Sequence, residues 1–189
     1  MTRQALRLFH ISDQPGIKRF EPCTPAPTPG AGVQGSVVWA IDYEHQPNYL
    51  LPRDCPRVTF CAGKDTDPAD VERFMGWTTA GRVIAVETRW LPKIREQCLY
   101  QYEFDPEGFA PLDEHAGYYV SREPTVPIAE TRIDDILGAL LQHDVELWVM
   151  PSLWKLREAV IHSTLSFSII RMRNAQPPPE GLEAYHPLP

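Results

Sequence analysis

His10 and Ser12 lie two residues apart in Leu8-Phe9-His10-Ile11-Ser12, so both side chains point to one side of an extended segment. An imidazole and a hydroxyl so placed can hydrogen-bond a ribose diol or another polar ligand; the plainer alternative is a half-buried histidine satisfied by its own fold. A second group sits in Val37 to Arg57 (VVWAIDYEHQPNYLLPRDCPR), where Asp42, Glu44, His45, Tyr49, Arg53, Asp54 and Arg57 follow an apolar run. Arg53 and Arg57 are guanidinium forks that suit a phosphate or a carboxylate. Asp54 can instead pair with either one and make the group structural. Pro52 and Pro56 stiffen this loop, as a positioned site requires and as a plain tight turn also requires. A third group is Tyr118, Tyr119, Ser121, Arg122 and Glu123. Adjacent tyrosines on a strand point to opposite sides, so one can fill a core while the other faces a cleft and stacks on a planar ring. Glu123 can stabilise positive charge there or be an ordinary glutamate at a strand end. A fourth group is Arg171, Arg173 and Asn174 near the last expected strand; Arg171 and Arg173 share a face and could hold an anion or bridge to nearby carboxylates.

Several chemistries are excluded by the same reading. No serine sits in a G-x-S-x-G elbow, and His162-Ser163 falls on an expected helix, where adjacent side chains diverge. No GxGxxG or GxxxxGK[ST] motif is present, so the standard dinucleotide and P-loop readings fail. Cys23, Cys55, Cys61 and Cys98 form no CxxC pair and have no accompanying H-x3-5-H, so no metal is expected. Cys61 and Cys98 lie in apolar runs and read as small buried hydrophobes. The net charge of −7 disfavours a nucleic-acid or anionic-membrane binder, which needs a basic field. The charge is uneven. Glu103 to Glu114 carries only carboxylates, whereas Lys155 to Arg173 is rich in Lys and Arg, so a local basic face can exist on an acidic chain. Met1 to Arg7 lacks a signal-peptide core, and Ala159 to Ile170 is too short and polar to span a bilayer. The expectation is a soluble, cytoplasmic protein taking a small nucleotide-like or anionic ligand. Nothing in the pattern sets an oligomeric state.

The elements that must hold these residues are punctuated by 20 prolines, most of which fall between periodic segments. Strands are expected at Leu6 to Ser12, Val37 to Asp42, Arg57 to Ala62, Val83 to Thr88, Leu99 to Phe104, Gly117 to Arg122, Val145 to Met150 and Phe167 to Met172. Glu44 to Leu51 suits a short helical turn, and Cys23 to Gly35 an exposed Pro- and Gly-rich loop. Asp67-Pro68-Ala69-Asp70 opens a helix to about Trp77, with Asp67 as cap and Pro68 in the first position. Thr131-Arg132-Ile133-Asp134 opens a second, with Ile133, Ile136, Leu137, Leu140 and Leu141 on one face. Ser152 caps a third, striped by Leu153, Leu156, Val160 and Thr164. The sum is an α+β chain: one domain over residues 1–174 with a mixed, mainly antiparallel sheet and two or three amphipathic helices, then a loose Pro-rich tail over 175–189.

Leu8 to Pro22, Val38 to Val58 and Val149 to Ala175 together resemble a family of uncharacterised bacterial proteins, for which no activity is implied. Leu8-Phe9-His10-Ile11-Ser12 is also similar to the first strand, [LF]-[YF]-H-x-[ST], of small ADP-ribosyltransferase-like domains. That second resemblance implies NAD as cofactor. His10 and Ser12 would contact the ribose, and Tyr49 or Tyr119 would stack on nicotinamide in a pocket shaped by Val38-Trp39-Ala40. Glu123 would be the catalytic carboxylate that stabilises an oxocarbenium-like state. The third motif of that family has no clear counterpart. The competing expectation is a non-catalytic domain that binds a small anion or a protein partner through Arg53, Arg57, Arg171 and Arg173.

Overall fold

The computed structural model describes residues 5–24, 35–113 and 116–179. Most of the loop expected between Cys23 and Gly35, and residues 180–189 of the expected tail, lie outside the described residues. The architecture is α+β, and the strands form two sheets rather than one. The chain divides into two compact units, neither of them a continuous stretch of sequence. Among the described residues the first takes 5–24, 35–49, 98–113 and 116–133; the second takes 50–97 and 134–179.

The first unit holds a six-stranded antiparallel sheet. Its strands are β1 (Leu8–Ser12), β2 (Val38–Asp42), β5 (Leu99–Phe104), β6 (Ala110–Asp113), β7 (Tyr118–Ser121) and β8 (Ala129–Ile133), in the order β6-β7-β2-β1-β5-β8. The register sets Leu8 opposite Phe104, His10 opposite Tyr102, and Ala40 opposite Tyr119. Because side chains alternate, these residues fall on one face. There Leu8, Val38, Ala40 and Phe104 make a core under Phe20, Phe109 and Tyr119. Phe20 meets Tyr102 and Phe104 edge-on, with ring centroids 5.2 and 5.0 Å away. The short helical turn expected after β2 is a 3-10 turn, Gln46–Tyr49.

The second unit holds a mixed sheet of β3 (Arg57–Cys61), β4 (Arg82–Glu87), β9 (Val145–Met150) and β10 (Ser166–Ile170), ordered β10-β3-β4-β9. Only β4 and β9 run parallel. The chain between them includes helix α3 (Ile136–Gln142), which packs against β9, as a parallel pair's crossover does. Helices α1 (Pro68–Met75) and α4 (Trp154–Ile161) cover one face of this sheet. Val58, Phe60, Val83 and Ala85 pack there with Phe74, Leu153, Leu156 and Val160. Each of the valine, leucine and phenylalanine side chains removed from water there is worth roughly 1.5–3 kcal/mol. Helix α2 (Leu91–Glu96) buries Ile94 and packs against α3.

Several expectations are corrected. Residues 131–133 belong to strand β8, not to a helix; α3 begins only at Ile136, after Asp135 accepts the Gly138 amide at 2.9 Å as its cap. Ile136 and Leu140 are buried, but Leu141 is exposed, so the apolar stripe is narrower than its spacing implied. Strand β6 and helix α2 were not expected. Ser152 stands before α4, whose cap position is Leu153, and Thr164 lies beyond the helix end. His162 likewise ends α4 rather than lying within it. The fully buried cysteine is Cys55, while Cys61 and Cys98 are partly exposed, and none of the four forms a disulfide. The backbone at the start of the expected tail is held: Gln176 donates its N–H to the buried Glu87 carboxylate at 2.9 Å and accepts the Trp154 indole N–H at 2.6 Å. Among the described residues no helix is long and apolar enough to cross a membrane.

Candidate functional site

In the first unit, His10 donates from Nδ1 to the Trp39 carbonyl at 3.0 Å, and its ring lies 4.9 Å from that of Phe20. Ser12 uses its hydroxyl locally, accepting the Gln14 amide at 3.0 Å. Tyr119 shares the face of His10 and packs on the apolar cluster there. Tyr49 stands elsewhere. Its hydroxyl shares a 2.6 Å hydrogen bond with that of Tyr118, and the Tyr118 side chain points away from the Tyr119 face. Glu123 follows the end of β7, exposed, with its backbone N–H on Ser121 Oγ at 3.2 Å. The structure thus brings His10 and Tyr119 to one face and leaves Tyr49 with the residues of the other.

A local acid–base pair also forms in this unit. Asp42 Oδ1 accepts both the His45 amide and His45 Nδ1, each at 2.8 Å. Gly117 lies against the pair with φ +70°, and a Cβ there would stand 2.7 Å from Asp42 Oδ1. Among the described residues no cluster of His, Cys, Asp and Glu is placed to hold a metal ion.

In the second unit three connections are tied at one junction. They are the loop Pro52 to Pro56, the 3-10 turn Thr88–Trp90 leading into α2, and the 3-10 turn Met172–Asn174 after β10. Asn174 donates its side-chain amide to the Asp54 carbonyl at 2.8 Å, and Arg89 Nη2 donates to the Asn174 carbonyl. Arg171 Nε reaches the Arg53 carbonyl at 3.3 Å and lies 3.9 Å from Asp54 Oδ1. Arg171 adopts φ 57°, a left-handed conformation unfavourable for a side chain of this size. Arg89 Nε pairs with Glu87 at 2.9 Å, and that carboxylate is fully buried. Lys93 sits with Nζ 5.3 Å from the Trp90 ring centroid. Arg89, Trp90, Lys93 and Asn174 line an open groove of about 290 Å³.

The arginines singled out in the sequence divide here. Arg53 and Arg173 are exposed, and Arg171 is half-exposed at the junction. Arg57 is 2% exposed, and its guanidinium donates to the carbonyls of Cys55 at 2.9 Å and Pro52 at 3.4 Å. It fixes the loop from beneath. Burial also pushes the neighbouring Cys55 thiol up to about 12, which leaves it an unreactive packing group. Arg89, Trp90 and Lys93 escaped the sequence reading. Their signal was Pro92 near the start of an unrecognised helix, which would have placed positions 89 and 93 one helical turn apart.

The family model described as "Family of unknown function (DUF6886)" matches residues 9–175, and the chain belongs to that family. The match spans both units. No curated protein and no solved structure matches the chain.

Proposed function

We propose that the second unit binds a small anion, a phosphate or carboxylate group, at the junction of the Pro52–Pro56 loop, the Arg89–Lys93 segment and Arg171. The observation that carries this is the groove lined by Arg89, Trp90, Lys93 and Asn174 beside the backbone-anchored Arg171. Lysine and arginine side chains offer donors only, which matches an acceptor-rich anion. The nearby buried carboxylate, Glu87, is already engaged by Arg89 and the Gln176 amide. The NAD-dependent transfer reading has less support: His10 Nδ1 and the Ser12 hydroxyl are engaged by the Trp39 carbonyl and the Gln14 amide, and Tyr49 pairs with Tyr118 on the face away from His10.

Thermal-shift measurements with inorganic phosphate, pyrophosphate, ADP-ribose and NAD test both readings. A ligand at a hundredfold excess over its Kd stabilises by about 2.7 kcal/mol, or roughly 5–10 °C for a chain of this size. The expected result is a rise in Tm with phosphate-bearing ligands that Lys93→Ala combined with Arg53→Ala removes. Absence of any shift, or a shift that survives the double substitution, overturns the anion site. A shift seen with NAD alone and lost in His10→Ala would put the NAD reading first.

A further inference from the structure

Strand β8 ends the strand order of the first unit's sheet, so one row of its backbone N–H and C=O groups faces away from β5. Ala129 to Arg132 are all exposed in the folded chain. Free edges invite pairing, and proteins guard them with proline, bulges or charge. The opposite edge of the same sheet is guarded in this way: β6 carries Pro111 and an irregular register between Pro111 and Asp113. Within β8 there is no proline; Pro127 stands just before it and limits any pairing to the strand itself.

The sequence of β8, Ala129-Glu130-Thr131-Arg132-Ile133, is complementary to itself about its centre. In an antiparallel pair of two copies related by a two-fold axis through Thr131, Thr131 meets Thr131. Glu130 then meets Arg132 in both directions, and Ala129 meets Ile133. Threonine pairs and opposite charges are favoured directly opposed combinations on antiparallel strands. Alternation puts Glu130 and Arg132 on one face, with Tyr102 and Tyr100 as their neighbours in β5, and Ala129, Thr131 and Ile133 on the other. In a second copy each charge meets its opposite, whereas a uniformly charged foreign edge sets a like charge against one of them. Within the chain Glu130 Oε1 accepts the Gly16 amide at 2.9 Å and Arg132 Nη2 donates to Cys98 Sγ at 3.3 Å, so pairing adds to contacts these side chains already make. We propose that β8 is a self-association edge, through which two copies of this chain join their six-stranded sheets by antiparallel β8–β8 pairing.

A five-residue strand pair buries less than the ~1,200 Å² of a standard stable interface, so the dimer is weak and concentration-dependent. Sedimentation velocity on the full chain, from low micromolar to near-millimolar concentration, reads it directly. The native chain is expected to shift reversibly from monomer to dimer. Glu130→Arg sets arginine against arginine across the axis, Arg132→Glu sets glutamate against glutamate, and each alone is expected to weaken dimerisation at least tenfold. An equimolar mixture of the two variants restores opposite charges at both positions and is expected to dimerise like the native chain. That rescue also shows that both variants fold. A native chain that stays monomeric throughout, single variants that dimerise as well as the native chain, or a mixture that fails to recover would each overturn the proposal.

Discussion

His143 ends α3, and burial, then the nearby Arg82, lowers its pKa below the usual 6.5. The folded state therefore binds fewer protons at this site than the unfolded chain. Stability is unaffected above pH ~6.5, and it falls as the pH drops from there to the depressed folded value. His143→Asn is expected to flatten the dependence of Tm on pH between neutral and mildly acidic buffer, whereas the native chain loses stability over that window. An equally steep profile in the variant would remove His143 from the account. Residue type alone revealed only part of this scale. Arg57 and Arg53 look alike in sequence, four positions apart in a Pro-rich loop, yet one is buried on backbone carbonyls and the other is exposed. Which side of a turn faces solvent depends on what packs beneath it, and the packing around Arg57 comes from the ends of strands that are distant in sequence.

Elements with a strong local signature were legible. Asp67-Pro68 starts α1, with Asp67 Oδ1 accepting the Ala69 amide at 2.8 Å, and the apolar runs of β2, β4 and β9 are strands. Elements defined by their partners were not. The exposed β8 has no alternating apolar pattern and is a strand because β5 pairs with it; Ile133, two residues before the cap Asp135, reads equally well as the first apolar position of a helix. The Asp42–His45 pair shows a similar dependence, since it needs a side-chain-free neighbour on the turn into β7. Gly117 supplies it with both a positive φ and the space a Cβ would occupy. Gly117→Ala meets both obstacles at once and is expected to cost about 1–3 kcal/mol. Chemical denaturation measures it. A variant as stable as the native chain would show that the turn can move aside freely.

At the scale of the whole molecule, the net charge of −7 hides the separation that matters. The carboxylate-rich stretch from Glu103 includes β6 of the first unit, whereas Arg53, Arg89, Lys93 and Arg171 gather in the second. No window of sequence shows that gathering, because its members are more than a hundred positions apart at the extremes and are joined only by the crossing of chain between units. One sheet is what a reading in chain order suggests. The two sheets emerge because the chain leaves the first unit after Tyr49, returns at Cys98 and leaves again after Ile133. Each sheet is therefore assembled from strands on both sides of a long excursion: β1 pairs with β5, and β4 with β9. Such pairings must close long loops before they return any stabilisation, which makes folding slow and dependent on the full chain. A break between Gln97 and Cys98 tests this. Fragment 1–97 keeps β1–β4 and loses β5–β10, which fragment 98–189 keeps. Neither fragment is expected to show a cooperative thermal transition by circular dichroism, since every sheet has lost a central or flanking partner. Mixed in equimolar amounts, they are expected to recover a cooperative transition at a Tm that rises with concentration, because association replaces the missing covalent link. A cooperative transition in either fragment alone would mean that its strands are held by local contacts instead of by these long-range strand pairs.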